Sequence, residues 1–384
     1  METVEWHDAP VLVSDGTWSL KNYHDIKRAL RDARFSAQRA PTIPQSGRNG
    51  FLDGLANALT PGRRAVNTLR GHWFAFQDAP DHTRLRGILQ PLWAARVGKI
   101  QPRIELRVHE LLDRVQKKRV LNVVTDLTFP LPALTISEIL GLPLSAPTNF
   151  LEWFRDTDTL LGIHPHPPRG SLAQAHAAVE FFEKQIAARR AAPQDDLISD
   201  LVRAQAQGAR ISDAELTAAA IMVLIAGFQT LNDFFVHTLA SFTRAPQWFH
   251  ALKAEPDTMS SAVEELLRHT PQVTFVRRRL TTDVESNGIV LPRGVRVTMD
   301  IYAANHDPTV FDAPERFDLP RRPNPHLTFG SGAHFCLGSG LARLETQILL
   351  QELLQRFPTL EPANEGARQA LAGAGLPYAL SVRW

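Results

Sequence analysis

The sequence predicts a mainly helical protein with a minor β region, in which residues 1–384 form a single domain. Apolar residues recur at helical spacing through most of the chain, and the longest such run extends from Ser212 to about Thr243. Between residues 279 and 299 the pattern changes to that of short strands. No stretch rich in proline, glycine and serine divides the chain, so we expect one domain.

Composition and charge exclude several classes of protein. With 44% hydrophobic and 21% charged residues, the chain is typical of soluble globular proteins. The formal net charge of +2 argues against an overall nucleic-acid-binding character. A single cysteine excludes an intramolecular disulfide, which fits a reducing compartment. The acidic N-terminus and the apolar run 218–228, which is too short for a bilayer, predict a cytoplasmic protein without signal peptide or membrane span.

In the first half of the chain, two short strands precede a series of helices. The strands are predicted at 11–13 and 18–20, around a hairpin turn at Asp15-Gly16. Residues 40–71 show little periodicity and are predicted to form loops. A helix is predicted to open at Asp78, with Pro80 in its first position. The other helices are predicted at 23–32, 102–117, 149–161 and 172–190, and the apolar segment 121–140, interrupted by Pro130 and Pro132, is predicted to be buried.

The second half places the β region between helices. A helix over 260–269 ends before Pro271, because the residue that precedes a proline disfavours helical geometry. Strands are predicted at 279–285, 289–291 and 295–299, separated by turns at Asn287-Gly288 and at residues 292–294. A helix over 337–356 then leads to the C-terminal segment.

Cys336, the only cysteine, lies in the glycine-rich stretch HLTFGSGAHFCLGSGLARLE, residues 326–345. Glycines at this density let the backbone approach a flat ligand closely. Leu337, Leu341 and Leu344 recur at helical spacing, which predicts that Cys336 sits at a helix N-terminus, where the dipole favours a thiolate. A thiolate presented in this way suits axial ligation of haem iron. A lone cysteine is more often a buried structural residue, but the spacing of its neighbours favours the ligand.

That spacing, F-G-x-G-x-H-x-C-x-G, resembles the haem-binding loop of the cytochrome P450 family. The matching residues are Phe329, Gly330, Gly332, His334, Cys336, Leu337 and Gly338, and Ala342 continues the pattern. The resemblance implies the cytochrome P450 fold, haem b as cofactor, and Cys336 as the thiolate ligand of the iron. It also implies that Phe329 and Gly338 lie beside the cofactor.

Four cationic side chains are candidates for binding the haem propionates. His82 and Arg86 are four residues apart on one helix face, which suits a pair of carboxylates. Taken alone, this pattern is more typical of a solvated basic face, but D-x-P-x-H-T-x-x-R resembles the family's propionate-binding helix. By the same resemblance Arg278 and His326 bind the propionates, although the run 277–279 leaves the arginine open by one residue.

The centre of the longest helix combines small and polar residues. Ala226 and Gly227 remove bulk, and Gln229 and Thr230 add polarity. A buried threonine is usually just bonded to the carbonyl one turn earlier, but this string resembles the family's oxygen-activation motif. The resemblance makes Thr230 and Gln229 the predicted catalytic pair, with Gln229 where the family has an acid. Because an amide does not titrate, we expect slower or leakier proton delivery. Asp233 could replace the acid, although a structural contact is the simpler interpretation.

Glu265 and Arg268 are three residues apart, and such pairs on a helix surface contribute about 0.2–0.5 kcal/mol. Here they resemble the family's E-x-x-R motif, in which an arginine from a later loop completes a buried triad. Arg316, in the sequence PERF, is the predicted third member. A carboxylate buried between two guanidinium groups needs all three, so we predict a structural role.

By alignment with the family, the substrate-pocket candidates are Ala226, Phe228, Val273, Phe275, Val276 and Leu376. The resemblance implies a haem-thiolate monooxygenase that inserts one oxygen atom from O2 into a small organic substrate, such as a secondary metabolite or another apolar compound. Electrons are expected from a separate ferredoxin or flavodoxin, with Arg84, Arg96 and Lys99 as candidate docking residues. No nucleic-acid or membrane partner is expected. Two alternatives stay open: an enzyme that uses peroxide or is not a monooxygenase, which Gln229 suggests, and a non-catalytic haem or ligand-binding protein.

Overall fold

The fold is known from a computed structural model that describes residues 6–13, 16–38, 65–66, 69, 71–143, 170–372 and 379–384. The predicted helix at 149–161, most of the predicted loop at 40–71 and the pocket candidate Leu376 lie outside these residues. The helices are α1 (Tyr23–Ala29), α2 (Asp81–Val97), α3 (Gln101–Gln116), α4 (Pro130–Leu140), α5 (Ser171–Ala191), α6 (Leu197–Ala206), α7 (Asp213–Arg244), α8 (Pro246–Ala254), α9 (Met259–His269), α10 (Ile301–Asn305), α11 (Ser339–Arg356) and α12 (Glu365–Ala372). The strands are β1 (Val11–Leu12), β2 (Trp18–Leu20), β3 (Phe35–Ser36), β4 (Val120–Asn122), β5 (Phe275–Leu280), β6 (Val284–Ser286), β7 (Ile289–Leu291), β8 (Arg296–Asp300), β9 (Glu361–Pro362) and β10 (Ser381–Arg383).

The predicted class, mainly helical with a minor β region, is confirmed. One predicted strand is wrong in its bounds: residues 279–285 form the end of β5, a turn and the start of β6. The chain turns there because the Asp283 carboxylate accepts a hydrogen bond from the Arg293 N–H at 2.6 Å. The apolar segment 121–140 contains the end of β4, a π-helical segment, Val123–Thr128, and α4.

Strands from both ends of the chain form one five-stranded sheet, in the order β1-β2-β8-β5-β3. Strand β2 pairs in parallel with β8, and β8 pairs antiparallel with β5. Helix α1 contributes Tyr23 and Ile26 to the apolar core that includes residues of this sheet. The Tyr23 hydroxyl donates to the Pro325 oxygen at 2.7 Å, so α1 is also tied to the segment before the cysteine loop.

The contacts divide the chain into two compact units. The first contains residues 1–36, 101–132 and 228–384, and the second contains 37–100 and 133–227. Since each unit is assembled from separate stretches of chain, neither is a continuous segment. The single domain expected from the sequence stays a prediction.

In the second unit, α2, α5 and α6 are joined by two ion pairs, of which the Arg189–Asp196 pair is buried. Arg96 of α2 donates to Asp200 of α6 at 2.6 Å, and Arg189 of α5 donates to Asp196 at 2.8 Å. Asp196 also accepts from the Ser199 N–H at 2.7 Å and thereby caps α6.

Two helical segments, Val123–Leu140 and Asp213–Arg244, are long and apolar enough to cross a membrane by composition alone. The buried share of these segments is 61% and 67%, respectively. This degree of burial is typical of core helices in a folded protein, so their apolar character is accounted for by packing.

Candidate active site

The glycine-rich loop before α11 is held by its backbone. Gly330 and Gly332 have φ of +72°, in the left-handed region that favours glycine. A Cβ atom on Gly332 would lie 3.0 Å from the backbone oxygen of Leu30, so this position also requires glycine for space. The Cys336 N–H donates to the Phe329 oxygen at 2.9 Å and closes the loop, leaving the cysteine side chain exposed.

Cys336 lies just before α11 rather than in its first turn. The helix begins at Ser339 instead of the predicted Leu337. A 3-10 turn, Gly332–His334, precedes the cysteine. Gly338 is the N-cap, and a Cβ atom there would stand 3.9 Å from the Cys336 sulfur. The sulfur therefore remains near the positive end of a helix, with no side chain on Gly338 to cover it.

The cysteine loop also contains two aromatic side chains, Phe329 and Phe335. The ring of Phe329 lies 6.3 Å from that of Phe335, measured between centroids, and the Arg343 guanidinium lies 4.6 Å from the Phe329 centroid. Phe335 is 39% exposed. An exposed thiol beside exposed aromatic surface fits a flat apolar ligand that binds through sulfur.

His326 is not available to a propionate, contrary to the prediction. Its Nε2 lies 3.1 Å from the Glu264 carboxylate, and its Nδ1 accepts from the Thr328 N–H at 3.3 Å. Arg343 donates to the same carboxylate at 2.6 and 2.8 Å. Burial alone would raise the pKa of Glu264, but hydrogen bonds from Arg343 and His326 lower it to about 2. This cluster could not be predicted from local sequence patterns, because Glu264 and Arg343 are 79 residues apart.

The E-x-x-R motif forms the expected buried triad, but with a different third member. Arg268 donates to both carboxylate oxygens of Glu265, at 2.7 and 2.8 Å, and neither side chain is exposed. Arg321 donates to the same carboxylate at 3.1 Å, whereas the Arg316 side chain is 71% exposed. Arg316 is therefore the wrong prediction, and only its backbone oxygen contacts Arg268 and Arg321.

Burial is the largest influence on the pKa of Glu265 and would raise it. The hydrogen bonds from Arg268 and from the Asp318 N–H outweigh burial, so the pKa is lowered and the carboxylate stays charged. The triad ties α9 to the segment that leads into the cysteine loop.

Strand β5 separates the predicted site residues onto two faces. Val276 and Arg278 are opposite Met299 and Val297, which are fully buried in the core of the sheet. Successive strand residues point to opposite faces, so Phe275 lies on the other face, where it is 48% exposed. Phe275 and Val276 therefore do not share a face of β5, and their pocket roles stay predictions. Arg278 stays a propionate candidate on the same face as Val276.

The positions of Arg277, on β5, and of Val273, in the preceding loop, bear on the remaining predictions for this region. The Arg277 guanidinium lies 4.8 Å from the Phe275 ring centroid, so Arg277 shares the outer face. Arg278 is on the opposite face to Arg277 and Arg279, and the choice within the arginine run stays a prediction. Val273 is 44% exposed, and its pocket role stays a prediction.

Helix α7 exposes part of the predicted oxygen-binding motif. Ala226 and Thr230, four residues apart on one face, are exposed in a helix that is otherwise largely buried. Phe228 is only 6% exposed and packs edge-on against Phe129 at 5.1 Å, and its pocket role stays a prediction. A Cβ atom on Gly227 would lie 2.7 Å from the Ile136 side chain, which explains the glycine by helix packing.

His82 and Arg86 lie on α2, in the second unit. His82 is 3% exposed with its ring 6.0 Å from that of Phe74, and the Arg86 Nε donates to Gln90 at 2.9 Å. Their binding of propionates stays a prediction.

The described residues fit a cofactor that brings its own metal. Among them there is no group of three or more histidine, cysteine, aspartate or glutamate side chains that could hold a metal ion. An iron held by a porphyrin needs only one or two ligands from the protein, and the exposed Cys336 supplies a thiolate.

Comparison with known proteins decides the family. The family model described as cytochrome P450 matches residues 171–372, more than half of the chain. The chain belongs to the cytochrome P450 family. The biotin biosynthesis cytochrome P450 of Bacillus subtilis (strain 168) is 32% identical over 352 residues, covering 90% of this chain and 85% of that protein. Nocardicin C N-oxygenase of Nocardia uniformis subsp. tsuyamanensis is 34% identical over 351 residues, covering 90% and 83%.

Solved P450 structures share the fold over nearly the whole chain. P450BioI, in complex with an acyl carrier protein ligated to hexadec-9Z-enoic acid, has a TM-score of 0.82 at 30% identity and covers 96% of this chain and 92% of its own. CalO2 has a TM-score of 0.83 at 27% identity, with coverage of 98% and 93%. The protein is thus a cytochrome P450 monooxygenase, an oxidoreductase whose cofactor is haem with an axial thiolate.

Proposed function

We propose that this P450 inserts one oxygen atom from O2 into a small apolar organic compound, and that Cys336 is its thiolate ligand. The exposed Cys336 in a closed, glycine-dependent loop carries this proposal, and the chain has no other cysteine. The bound haem supplies the redox-active iron at which O2 is reduced. The chain itself binds the cofactor, excludes water from it and delivers protons.

The other site residues take roles that follow from their positions. The Arg278 guanidinium and the His82–Arg86 pair would neutralise the propionates. Thr230, exposed on α7, would place a hydroxyl beside the oxygen site, and Ala226 one turn earlier would leave room for it. Val276 would contact the substrate, while Glu265, Arg268 and Arg321 fix the segment that carries the cysteine loop.

Purified protein is expected to contain one haem b per chain. Its reduced carbonyl adduct should show the red-shifted Soret band of a thiolate complex, because sulfur is the only axial donor proposed. Haem quantification and the carbonyl difference spectrum measure this. A spectrum typical of histidine-ligated haem would contradict the assignment of Cys336.

Separate turnover assays decide between the two enzymatic alternatives. A monooxygenase should form product and consume O2 with a ferredoxin or flavodoxin system. An enzyme that uses peroxide should form product with hydrogen peroxide and without a reductase, an alternative that Gln229 favours because it removes the usual acid. Absence of turnover in both assays would favour a non-catalytic haem protein.

The names of several relatives point to substrates of secondary metabolism. They include the nocardicin N-oxygenase and a polyketide biosynthesis P450 of Bacillus subtilis, which is 34% identical. A P450 neighbour bound to a fatty acyl carrier protein raises the question whether the substrate arrives free or attached to a carrier. We propose a free apolar compound, since no described feature of this chain requires a carrier, and a cytoplasmic location without membrane or nucleic-acid partners.

The electron donor is proposed to dock at a groove beside the cysteine loop. This haem-loop groove has a volume of about 580 Å3. Its lining includes Lys27, Arg31, Glu264, Phe329, Phe335 and Arg343. The earlier docking candidates Arg84 and Arg96 are less suitable, because Glu215 and Asp200 already pair with them at 2.6 Å. A basic rim around exposed aromatic surface fits a small acidic ferredoxin or flavodoxin.

Reversing one charge in this groove should slow electron transfer. Lys27 Nζ lies 3.4 Å from the Tyr23 hydroxyl, and no carboxylate pairs with Lys27 among the described residues. We expect Lys27→Glu to lower the reduction rate roughly 3- to 10-fold at low salt, and less at high salt, because exposed charges are screened. Stopped-flow reduction measures the rate, with Lys118→Glu, at an exposed lysine outside the groove, as the control. Equal effects of both substitutions would contradict a specific docking site.

A further inference from the structure

Along the otherwise buried central part of helix α7 runs a row of exposed and partly exposed residues, which we call the stripe. All its residues are described, and between Glu215 and Ala240 only six of them are not buried. They are Ala226, Gly227, Gln229, Thr230, Asp233 and His237. Ala226, Thr230, Asp233 and His237 follow one another at intervals of four, three and four residues, which places them on one face. The stripe therefore continues from the predicted oxygen site along the helix to two titratable side chains.

Asp233 is held in this stripe by a buried network. The Thr128 hydroxyl, at the end of the π-helical segment, donates to the Asn232 amide oxygen at 3.0 Å. The Asn232 amide nitrogen in turn donates to the Asp233 carboxylate at 2.9 Å. Thr128 and Asn232 are 0% and 7% exposed. One carboxylate oxygen of Asp233 is thus fixed from the buried side, while the residue itself remains partly exposed.

The contact between the two helical segments does not require a charge at this position. Thr128 and Asn232 make it themselves, and an asparagine at 233 could accept the same hydrogen bond from Asn232. A carboxylic acid differs from that asparagine by being able to give up and regain a proton. The hydrogen bond from Asn232 alone therefore does not require an aspartate at this position.

The direction of helical side chains brings Asp233 toward the oxygen site. Side chains lean toward the N-terminus of their helix, so Asp233 lies over the turn that holds Gln229 and Thr230. His237, one turn later, leans toward Asp233 in the same way. Burial, followed by the charge of Arg244, lowers the pKa of His237, which keeps its ring neutral and able to accept a proton near pH 7.

We propose that Asp233 is the proton donor that replaces the acid missing at position 229, and that His237 reloads it from solvent. The proposal rests on the monooxygenase function proposed above. Each turnover combines RH, O2, two electrons and two protons into ROH and water. In each proton transfer Asp233 gives its carboxyl proton to the Thr230 hydroxyl or an adjacent water, becomes a carboxylate, and is reprotonated through His237. The electrons come from the separate redox partner.

Asp233→Asn tests this while preserving the hydrogen bond from Asn232. We expect product formed per electron to fall about 10-fold, hydrogen peroxide release to rise, and the solvent deuterium isotope effect on product formation to increase. Haem content, the carbonyl spectrum and the unfolding midpoint should stay as in the wild type. In the Asp233→Asn background, Gln229→Glu should restore coupling, because it returns an acid to the family position.

An infrared measurement gives a readout independent of turnover. The difference spectrum between reduced and oxidised protein should contain a carboxyl band that Asp233→Asn removes. Asp283→Asn is the matched control, because Asp283 lies in an exposed turn and serves only to bind a backbone N–H. If Asp233→Asn loses haem, Asp233→Glu and Asp233→Gln form a second matched pair, of which only Asp233→Gln should lack the band and uncouple.

The outcomes separate this proposal from the function on which it rests. Unchanged coupling and an unchanged isotope effect in Asp233→Asn, with wild-type turnover intact, would overturn the role of Asp233 and leave the monooxygenase function standing. Wild-type protein that forms no product with O2 and a reductase would overturn both. A carboxyl band that persists in Asp233→Asn would assign the titrating group to another residue and reject the proposal directly.

Discussion

Replacing Cys336 by serine is expected to remove the red-shifted carbonyl band and nearly all monooxygenase activity. Serine keeps the size of the side chain and the hydrogen bond from the residue 336 N–H to the Phe329 oxygen, but its hydroxyl is a far weaker electron donor than a thiolate. The activity should fall by more than the roughly 100-fold that loss of an outer-sphere partner of a metal typically costs. The carbonyl difference spectrum and product formation measure both effects.

The control for this variant is Ser339→Ala. Ser339 opens α11 three residues after the cysteine, and its side chain makes no hydrogen bond in the described structure. It should keep the band and the activity, while both variants keep their helix content by circular dichroism. A thiolate-type band in Cys336→Ser would mean that another group ligates the iron, and the proposed site would have to be abandoned.

Arg321→Ala should be among the most destabilising single substitutions in the chain. Its guanidinium is one of two that neutralise the fully buried Glu265, and it also donates to the Asp312 oxygen at 2.7 Å. Removing one partner of a buried ion pair costs about 3–5 kcal/mol, because the remaining charge stays buried. Denaturant unfolding measures the loss, and haem retention reports on the cysteine loop that the triad supports.

Arg316→Ala is the matched comparison, since it tests the arginine that the sequence favoured. Its side chain is mostly exposed and lies 3.4 Å from Asp318, so the free energy of unfolding should change by no more than about 0.5 kcal/mol. The backbone oxygen that contacts the triad is unaffected by the substitution. A larger loss of stability from Arg316→Ala than from Arg321→Ala would reverse the assignment.

The sequence was sufficient where a motif fixes both residue type and spacing. The cysteine loop, the E-x-x-R pair and the small residues of α7 depend on local backbone geometry, and all three occur where the pattern predicts them. The errors share a cause: alignment names positions without specifying which way a side chain points. Phe275, for example, lies on the opposite face of β5 to Val276, and Phe228 packs against Phe129, neither of which the alignment indicates.

Contacts between residues that are distant in sequence were the second feature that could not be predicted. Arg316 and Arg321 both follow the E-x-x-R motif in the chain. Only the path of the backbone between that motif and the two arginines decides which guanidinium reaches Glu265. His326 is not available to the propionates because its ring contacts the carboxylate of Glu264. Glu264 lies on α9, the helix that also carries Glu265 and Arg268. No pattern within a few residues of His326 carries that information.

The parallel pairing of β2 with β8 has a consequence for synthesis on the ribosome. The partners of the N-terminal segment are released late: Tyr23 bonds to Pro325, 302 residues away, and Arg31 bonds to Ser331, 300 residues away. The central strands of the five-stranded sheet therefore cannot be joined until almost the whole chain has emerged. Contacts this distant in sequence also slow folding, because the chain entropy is lost before the contacts form. The first unit should thus complete its fold only after its late segments have emerged, with the cysteine loop and its support on α1 among the last parts to form.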